Sequence, residues 1–254
     1  MNDLAHTLHH MIAKFQRRAA LDASDCQALM DLPYELRTVE PNRYLVREGE
    51  KVHNSMLIVE GLAFRQKLTA DGSRQILSVH IPGDFVDLEG ALLRRADHNV
   101  QALTRCEIAV VPGNEIFELI KAHPRIAQAM WIDTLIDASI FREWIVNVGR
   151  RNARTRIAHL LCEFARRLEV AGLGSSMGYE LPMTQEQLAD ATGLTAVHIN
   201  RTLKQLASEG LIVRERRFVV IPDWKKLRHA AEFNESYLHL EQVAPLPERE
   251  MRLA

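Results

Sequence analysis

The sequence predicts an α+β fold: an N-terminal, jelly-roll-like β-roll, then one long helix, then a C-terminal winged helix-turn-helix. Three observations predict it. Between Tyr34 and Val111, short β-prone runs alternate with turn signals, the pattern of a sandwich or barrel. From Pro124 to Gly149 no Gly or Pro interrupts a run with helical apolar spacing. Residues 184–208 read as two capped helices around a glycine turn. The predicted boundaries are 1–122 for the β-roll with flanking helices, 123–149 for the long helix, 150–228 for the winged helix-turn-helix and 229–254 for a C-terminal tail.

Bulk properties narrow the class. The chain has 254 residues, 47% hydrophobic and 26% charged, a globular composition. No apolar run approaches the roughly 18 residues of a membrane span. The first twenty residues mix His, Asp, Lys and Arg among apolar positions and lack a signal-peptide core. A cytoplasmic protein is expected. Three scattered cysteines, Cys26, Cys106 and Cys162, form neither a disulfide framework nor a CxxC zinc motif. Residues 150–228 hold 14 Lys/Arg against 8 Asp/Glu, whereas the remainder holds 18 against 25. A basic C-terminal part on an acidic body suggests that one end meets a polyanion.

In chain order, Leu4, Leu8, Met11, Ile12 and Phe15 space a first helix over 3–20. A second starts near Asp22 or Ser24 and stops before Pro33. Strands are predicted over 44–46, 55–59, 63–68, 75–80 and 107–111, with Asp71-Gly72 as a hairpin turn. The long helix would span roughly 37 Å at 1.5 Å per residue. Its apolar residues cover more than one stripe, so it needs cover on two sides. Met130, Thr134, Asp137, Phe141, Trp144 and Val148 follow the steps of a coiled-coil seam. Met130, Phe141, Trp144 and Val148 are therefore the expected dimer contacts. Residues 150–154 form a hinge, 155–170 a helix and 172–178 a Gly/Ser loop. The tail begins helical after Trp224 and is expected to fray in its Pro-containing end.

The strongest functional signal is the run LPMTQEQLADATGLTAVHINRTLKQLASEGL, residues 181–211. Thr184 and Gln187 make a capping box, Gly193 suits a left-handed C-cap, and Thr195 caps a second helix. On that helix Ala196, Ile199, Leu203 and Leu206 face a core, whereas Val197, Asn200, Arg201 and Lys204 share the other face. Such a face fits the major groove of double-stranded DNA. Arg can bind guanine bidentately, Asn adenine, and Val a thymine methyl. Thr184, Gln185, Thr195 and His198 are placed for phosphates. The runs 211–213 and 217–221 read as a β-wing, whose Arg214, Arg216 and Arg217 can reach the DNA backbone.

The order of these elements resembles the Crp/Fnr family of bacterial regulators. The likeness runs from about Tyr34 to Trp224, and the helix-turn-helix is its most specific part. Residues 81–89, IPGDFVDLE, resemble the Pro-Gly-Asp-Phe turn of the family's cyclic-nucleotide-type β-roll. The resemblance implies a sensor β-roll, a homodimer joined by the long helices and a palindromic site with half-sites about 34–36 Å apart. It also implies RNA polymerase as a partner. Members that bind cyclic AMP carry a Gly-Glu-Leu and an Arg-Ser, where this chain has Asp87-Leu88-Glu89 and His98-Asn99. Asp87, Glu89, His98 and Asn99 are thus candidate effector-pocket residues, and their carboxylates argue against a cyclic phosphate. One N-terminal cysteine is too few for an iron–sulfur cluster. Haem on His53, His80 or His98, or a redox switch at Cys106 or Cys162, ranks below a chain with no cofactor. Val197 stands where the best-known members carry Glu, so the half-site should differ there.

Two other classes fit the sequence less well. A cupin-type metalloenzyme needs an HxH pair, and none occurs; nor do GxSxG, P-loop, HExxH or Rossmann patterns. A regulatory or partner-binding β-roll with a merely structural C-terminal domain conflicts with the basic face.

Overall fold

A computed structural model describes residues 3–241 apart from 89–92 and 94. Helix α1 (Asp3–Arg18) and helix α2 (Ala23–Met30) lead in. Asp22 caps α2 by accepting from the Asp25 N–H, and Asp25 reciprocates. The β-roll follows as β1 (Glu35–Val39), β2 (Tyr44–Val46), β3 (Asn54–Glu60), β4 (Ala63–Leu68), β5 (Arg74–His80), β6 (Asn99–Ala102) and β7 (Cys106–Pro112). These strands form two antiparallel sheets, ordered β1-β7-β3 and β2-β6-β4-β5. The β4–β5 hairpin turns at Asp71-Gly72 as expected, with Gly72 at φ +83°. Sequence patterning missed β1, an edge strand whose residues are mostly exposed, and β6, whose four residues are all buried.

Helix α3 (Gly113–Ala122) leads to the long α4 (Pro124–Arg150), with Pro124 in its first turn. Then come α5 (Ala153–Val170), β8 (Gly178–Glu180), α6 (Gln185–Thr192), α7 (Ala196–Ser208), β9 (Val213–Glu215), β10 (Phe218–Val220) and α8 (Trp224–Ala230). The wing sheet runs β8-β10-β9. Its strands begin one or two residues later than predicted, and β8 was not foreseen.

One apolar cluster joins the two halves of the chain. Phe64 and Ile76 of the β-roll, Trp144 of α4, and Leu160, Leu188 and Leu203 of the C-terminal domain belong to it. A second cluster packs α1 and α2 onto β3, β7 and the first half of α4. A third fills the roll with Ile58, Val100 and Ile108.

One expectation is corrected. Met130 and Trp144 do not lie on an open seam: both are buried inside the protomer. The Trp144 indole N–H donates to the Glu163 carboxylate at 3.0 Å, and Met130 packs in the α1–α2 cluster. Phe141 and Val148 are half-buried. The exposed stripe is offset by one residue. Trp131, Leu135 and Ile145 are 69%, 53% and 71% exposed, and with Ala138, Arg142 and Gly149 they keep the same alternating steps of four and three. The chain beyond α8 continues to pack on the protomer. Phe233, Tyr237 and Leu238 are buried, and residues 235–238 form a 3-10 turn. The Pro-containing end falls outside the described residues.

Candidate nucleic-acid interface

The helix pair is fixed by its caps. Thr184 Oγ1 accepts from the Gln187 N–H at 3.1 Å, and Gln187 Oε1 accepts from the Thr184 N–H at 2.8 Å. Gly193 ends α6 at φ +63°. A Cβ there would lie 3.1 Å from Val148 of α4, so turn geometry and tight packing both favour glycine. Thr195 caps α7 by accepting from the His198 N–H at 3.3 Å.

Burial divides α7 into two faces, with Ala196 and Asn200 half-buried between them. Ile199, Thr202, Leu203 and Leu206 are buried, and Val197, His198, Arg201 and Lys204 are exposed. Val197, at 78% exposure, is an apolar side chain left in water on a capped helix. Asn200 Nδ2 donates to Gln185 Oε1 at 3.4 Å, tying the two helices on their outer side. Gln185, Val197, Asn200, Arg201 and Lys204 line one shallow depression. Among the described residues, Arg201, Lys204, Arg216 and Arg217 enter no ion pair. Arg216 sits at φ +56° at the tip of the β9–β10 wing, beside exposed Arg217. These cations are thus presented on the surface without internal neutralisation.

Several residues that hold this surface were not legible in the sequence. Arg154 grips Glu209 through Nε at 2.9 Å and Nη2 at 2.5 Å, pinning the end of α7 to the start of α5. Arg156 Nη1 donates to the Thr192 carbonyl at 2.7 Å, satisfying the end of α6. The Tyr179 hydroxyl donates to the Leu161 carbonyl at 2.8 Å. Arg74 of β5 pairs with Asp190 of α6 at 2.6 Å, so the β-roll touches the first helix of the pair. Only residues far apart in sequence make these contacts.

The predicted effector residues scatter. His98 lines a cavity of about 610 Å³ between β4, β5 and α4, with its Nδ1 2.7 Å from Asp97. Asn99 instead accepts from the Glu48 N–H at 3.0 Å. Asp87 is fully buried, its backbone carbonyl accepting from Ser55. Glu89 lies outside the described residues. Arg65 and Lys67, two residues apart on β4, line the cavity opposite Phe141; the alternation of a strand places them together, a signal the sequence reading passed over. His53 is exposed, and His80 sits 4.0 Å from Asp84 with burial pushing its imidazole well below the usual range. No group of three His, Cys, Asp or Glu residues suited to a metal occurs among the described residues. Burial pushes the thiols of Cys106 and Cys162 up, away from reactive thiolate.

Comparison with known proteins decides the family. The model of the Crp-like helix-turn-helix domain matches residues 155–230, and that of the cyclic nucleotide-binding domain matches 36–123. The chain belongs to the Crp/Fnr family. The transcriptional activator protein FnrL of Cereibacter sphaeroides is 29% identical over 217 residues, covering 84% of this chain and 86% of that one. A nitrogen fixation regulation protein FixK of Bradyrhizobium diazoefficiens is 32% identical over 157 residues, covering 61% and 64%. The solved structure of FixK2 from Bradyrhizobium japonicum superposes with a TM-score of 0.72 at 24% identity, over 78% of this chain and 98% of that one. This Crp/Fnr protein is thus a transcription regulator with a helix-turn-helix DNA-binding domain. Among its described residues, no helix is long and apolar enough to cross a membrane.

Proposed function

We propose that this Crp/Fnr regulator activates transcription as a homodimer on a two-fold symmetric promoter site, without cyclic AMP. The carrying observation is the outer face of α7. Val197, Arg201 and Lys204 stand exposed, and Asn200 half-buried beside them, on a helix whose other face is buried. That arrangement suits readout of base edges, with Arg201 the guanine contact and Asn200 the adenine contact. Thr184, Gln185, Thr195, His198, Arg216 and Arg217 would hold phosphates around it. Activation follows the named relative FnrL, and it makes RNA polymerase the partner at the promoter and the cytoplasm the place of work.

The second copy would cover the Trp131–Leu135–Ile145 stripe. An isolated helix does not leave three large apolar residues in water at heptad spacing without cost, and a parallel partner buries them. Gly149 at the end of the stripe leaves room for close approach.

Independence from cyclic AMP rests on the residues at the phosphate end. The buried Asp87 carboxylate would repel a cyclic phosphate, and Arg65 already donates to the Val86 carbonyl at 3.0 Å. Sedimentation and fluorescence anisotropy with a labelled duplex pool test the reading. Two protomers per duplex and steep weakening with salt are expected without nucleotide. A monomer in solution and on DNA, or binding that requires cyclic AMP, would overturn it.

A further inference from the structure

A second cavity, of about 340 Å³, lies away from the β-roll pocket, where α1, α4, α5, the 81–84 turn and the C-terminal segment meet. One wall is cationic. Lys14 bridges Asp84 at 2.8 Å and Asp133 at 2.6 Å, and Arg167 reaches Asp84 at 3.2 Å. These charges are mutually satisfied. Burial alone would depress the Lys14 ammonium, yet Asp133 and Asp84 hold it above its usual value, and Lys14 and Arg167 in turn hold the Asp84 carboxyl well below its own.

Two groups are left over. Arg18 is buried and donates to the His239 carbonyl at 2.6 Å, but its Nε has no hydrogen-bond partner and lies 3.6 Å from the already bridged Asp133. Neighbouring Arg17 lines the same cavity and makes no ion pair among the described residues. Burial and the Arg18 charge both disfavour its protonated form. Arg17 lacks an anion, and Arg18 shares its only one, Asp133, with Lys14. On α4, Asp137 also lines the cavity, with neither a hydrogen bond nor an ion pair among the described residues. Burial and the Asp133 charge push its carboxyl up to about 6. This group lacks a donor. Ile81, Ile136 and Leu238 complete the lining with apolar surface.

We infer that this cavity binds a small zwitterion, an α-amino acid, with its carboxylate on Arg17 and Arg18 and its ammonium on Asp137. A dianion would be repelled by Asp137, and a cation by the arginine pair. The volume falls at the small end of ligand pockets, and planar guanidinium forks suit a carboxylate. The side chain of the amino acid would rest on the isoleucines. The site joins α1 and α4 to Arg167 of α5 and Leu238 of the C-terminal segment, so its occupancy bears on how the DNA-binding domain is held. That regulatory consequence rests on the proposed DNA reader; the binding site itself does not.

The full chain is titrated with each standard L-amino acid, with succinate and with sodium chloride, following melting temperature and calorimetric heat. Saturable binding of at least one amino acid is expected, stronger than that of succinate. Arg17→Gln and Asp137→Asn should each weaken it by at least about tenfold, whereas Arg37→Gln, a surface control, should not. No saturable binding up to about 10 mM, preference for succinate, or binding kept by both cavity variants would overturn the assignment. Anisotropy on a DNA duplex, with and without the amino acid, is read separately: saturable binding with no DNA affinity at all would refute the reader and leave the site standing.

Discussion

Replacing Tyr237 with Phe deletes one oxygen atom and leaves no cavity, so it removes only the contacts of that hydroxyl, one to Glu163 and one, at 3.2 Å, to His159 Nε2. The Tyr237 hydroxyl donates to Glu163 Oε2 at 2.8 Å, on the same carboxylate that accepts from the Trp144 indole at 3.0 Å. Burial and the Glu163 charge push the Tyr237 hydroxyl far up, so it remains a donor. Glu163 is buried on α5, Trp144 on α4, and Tyr237 in the C-terminal segment, so the carboxylate ties three elements together. A hydrogen bond to a charged group contributes about 1.5–3 kcal/mol, so Tyr237→Phe should cost about 2 kcal/mol. For a chain of this size that lowers the melting temperature by about 4–8 °C. The loss should also depend on pH. Burial raises the Glu163 carboxyl above its usual value, despite Arg167 and its two donors. A carboxyl raised on folding contributes stability that is fully present below its unfolded value of 4.5 and lost as pH rises through its folded value. Removing a donor to the ionised form raises that value further, so Tyr237→Phe should cost more at pH 8 than at pH 5. Urea unfolding at both pH values reads this directly. A loss under about 0.5 kcal/mol at pH 8, or an equal loss at both, would refute the reasoning.

Other perturbations separate the remaining claims. Arg201→Ala should cost roughly 1–3 kcal/mol of discrimination at one base pair, read from affinities for single-substitution duplexes; equal loss on every sequence would reduce Arg201 to a phosphate contact. Ile145→Asp places a charge on the exposed stripe and should shift sedimentation toward a monomer, whereas Trp144→Phe should lower stability and leave the mass unchanged. Asp137→Asn removes a carboxyl that burial makes unfavourable to ionise. Its folded value of about 6 lies above the unfolded 3.8, so the wild type loses stability as pH rises between them. The variant's melting temperature should therefore exceed the wild type's more at pH 8 than at pH 4, and a constant difference would contradict this.

What the sequence made legible was local. Thr184, Gln187, Gly193 and Thr195 specify the helix pair within a dozen residues, because caps and a left-handed glycine are short-range chemistry. The β4–β5 hairpin is equally local. Strand β1 escaped because an exposed edge shows no alternation of apolar and polar residues, and β6 because its polar Asn99 and Gln101 are buried by neighbouring strands. The stripe on α4 was placed one residue away because that helix is apolar on two sides. Periodicity cannot tell which side faces the protomer; Trp144 is drawn inward by Glu163, nineteen residues on. The Arg154–Glu209 clamp, 55 residues apart, and the packing of Tyr237 depend on partners that no local pattern reveals.

The central claim is that the α7 face reads sequence from a symmetric dimer. Selection of bound duplexes from a random pool, using purified protein without added ligand, tests it most directly. The account predicts enrichment of a two-fold symmetric site with half-site centres about one helical turn apart. At the base pair opposite Val197 it predicts a departure from a cytosine-reading contact, since Val offers no acceptor. Enrichment of an asymmetric single site, or no enrichment beyond nonspecific binding, would contradict it.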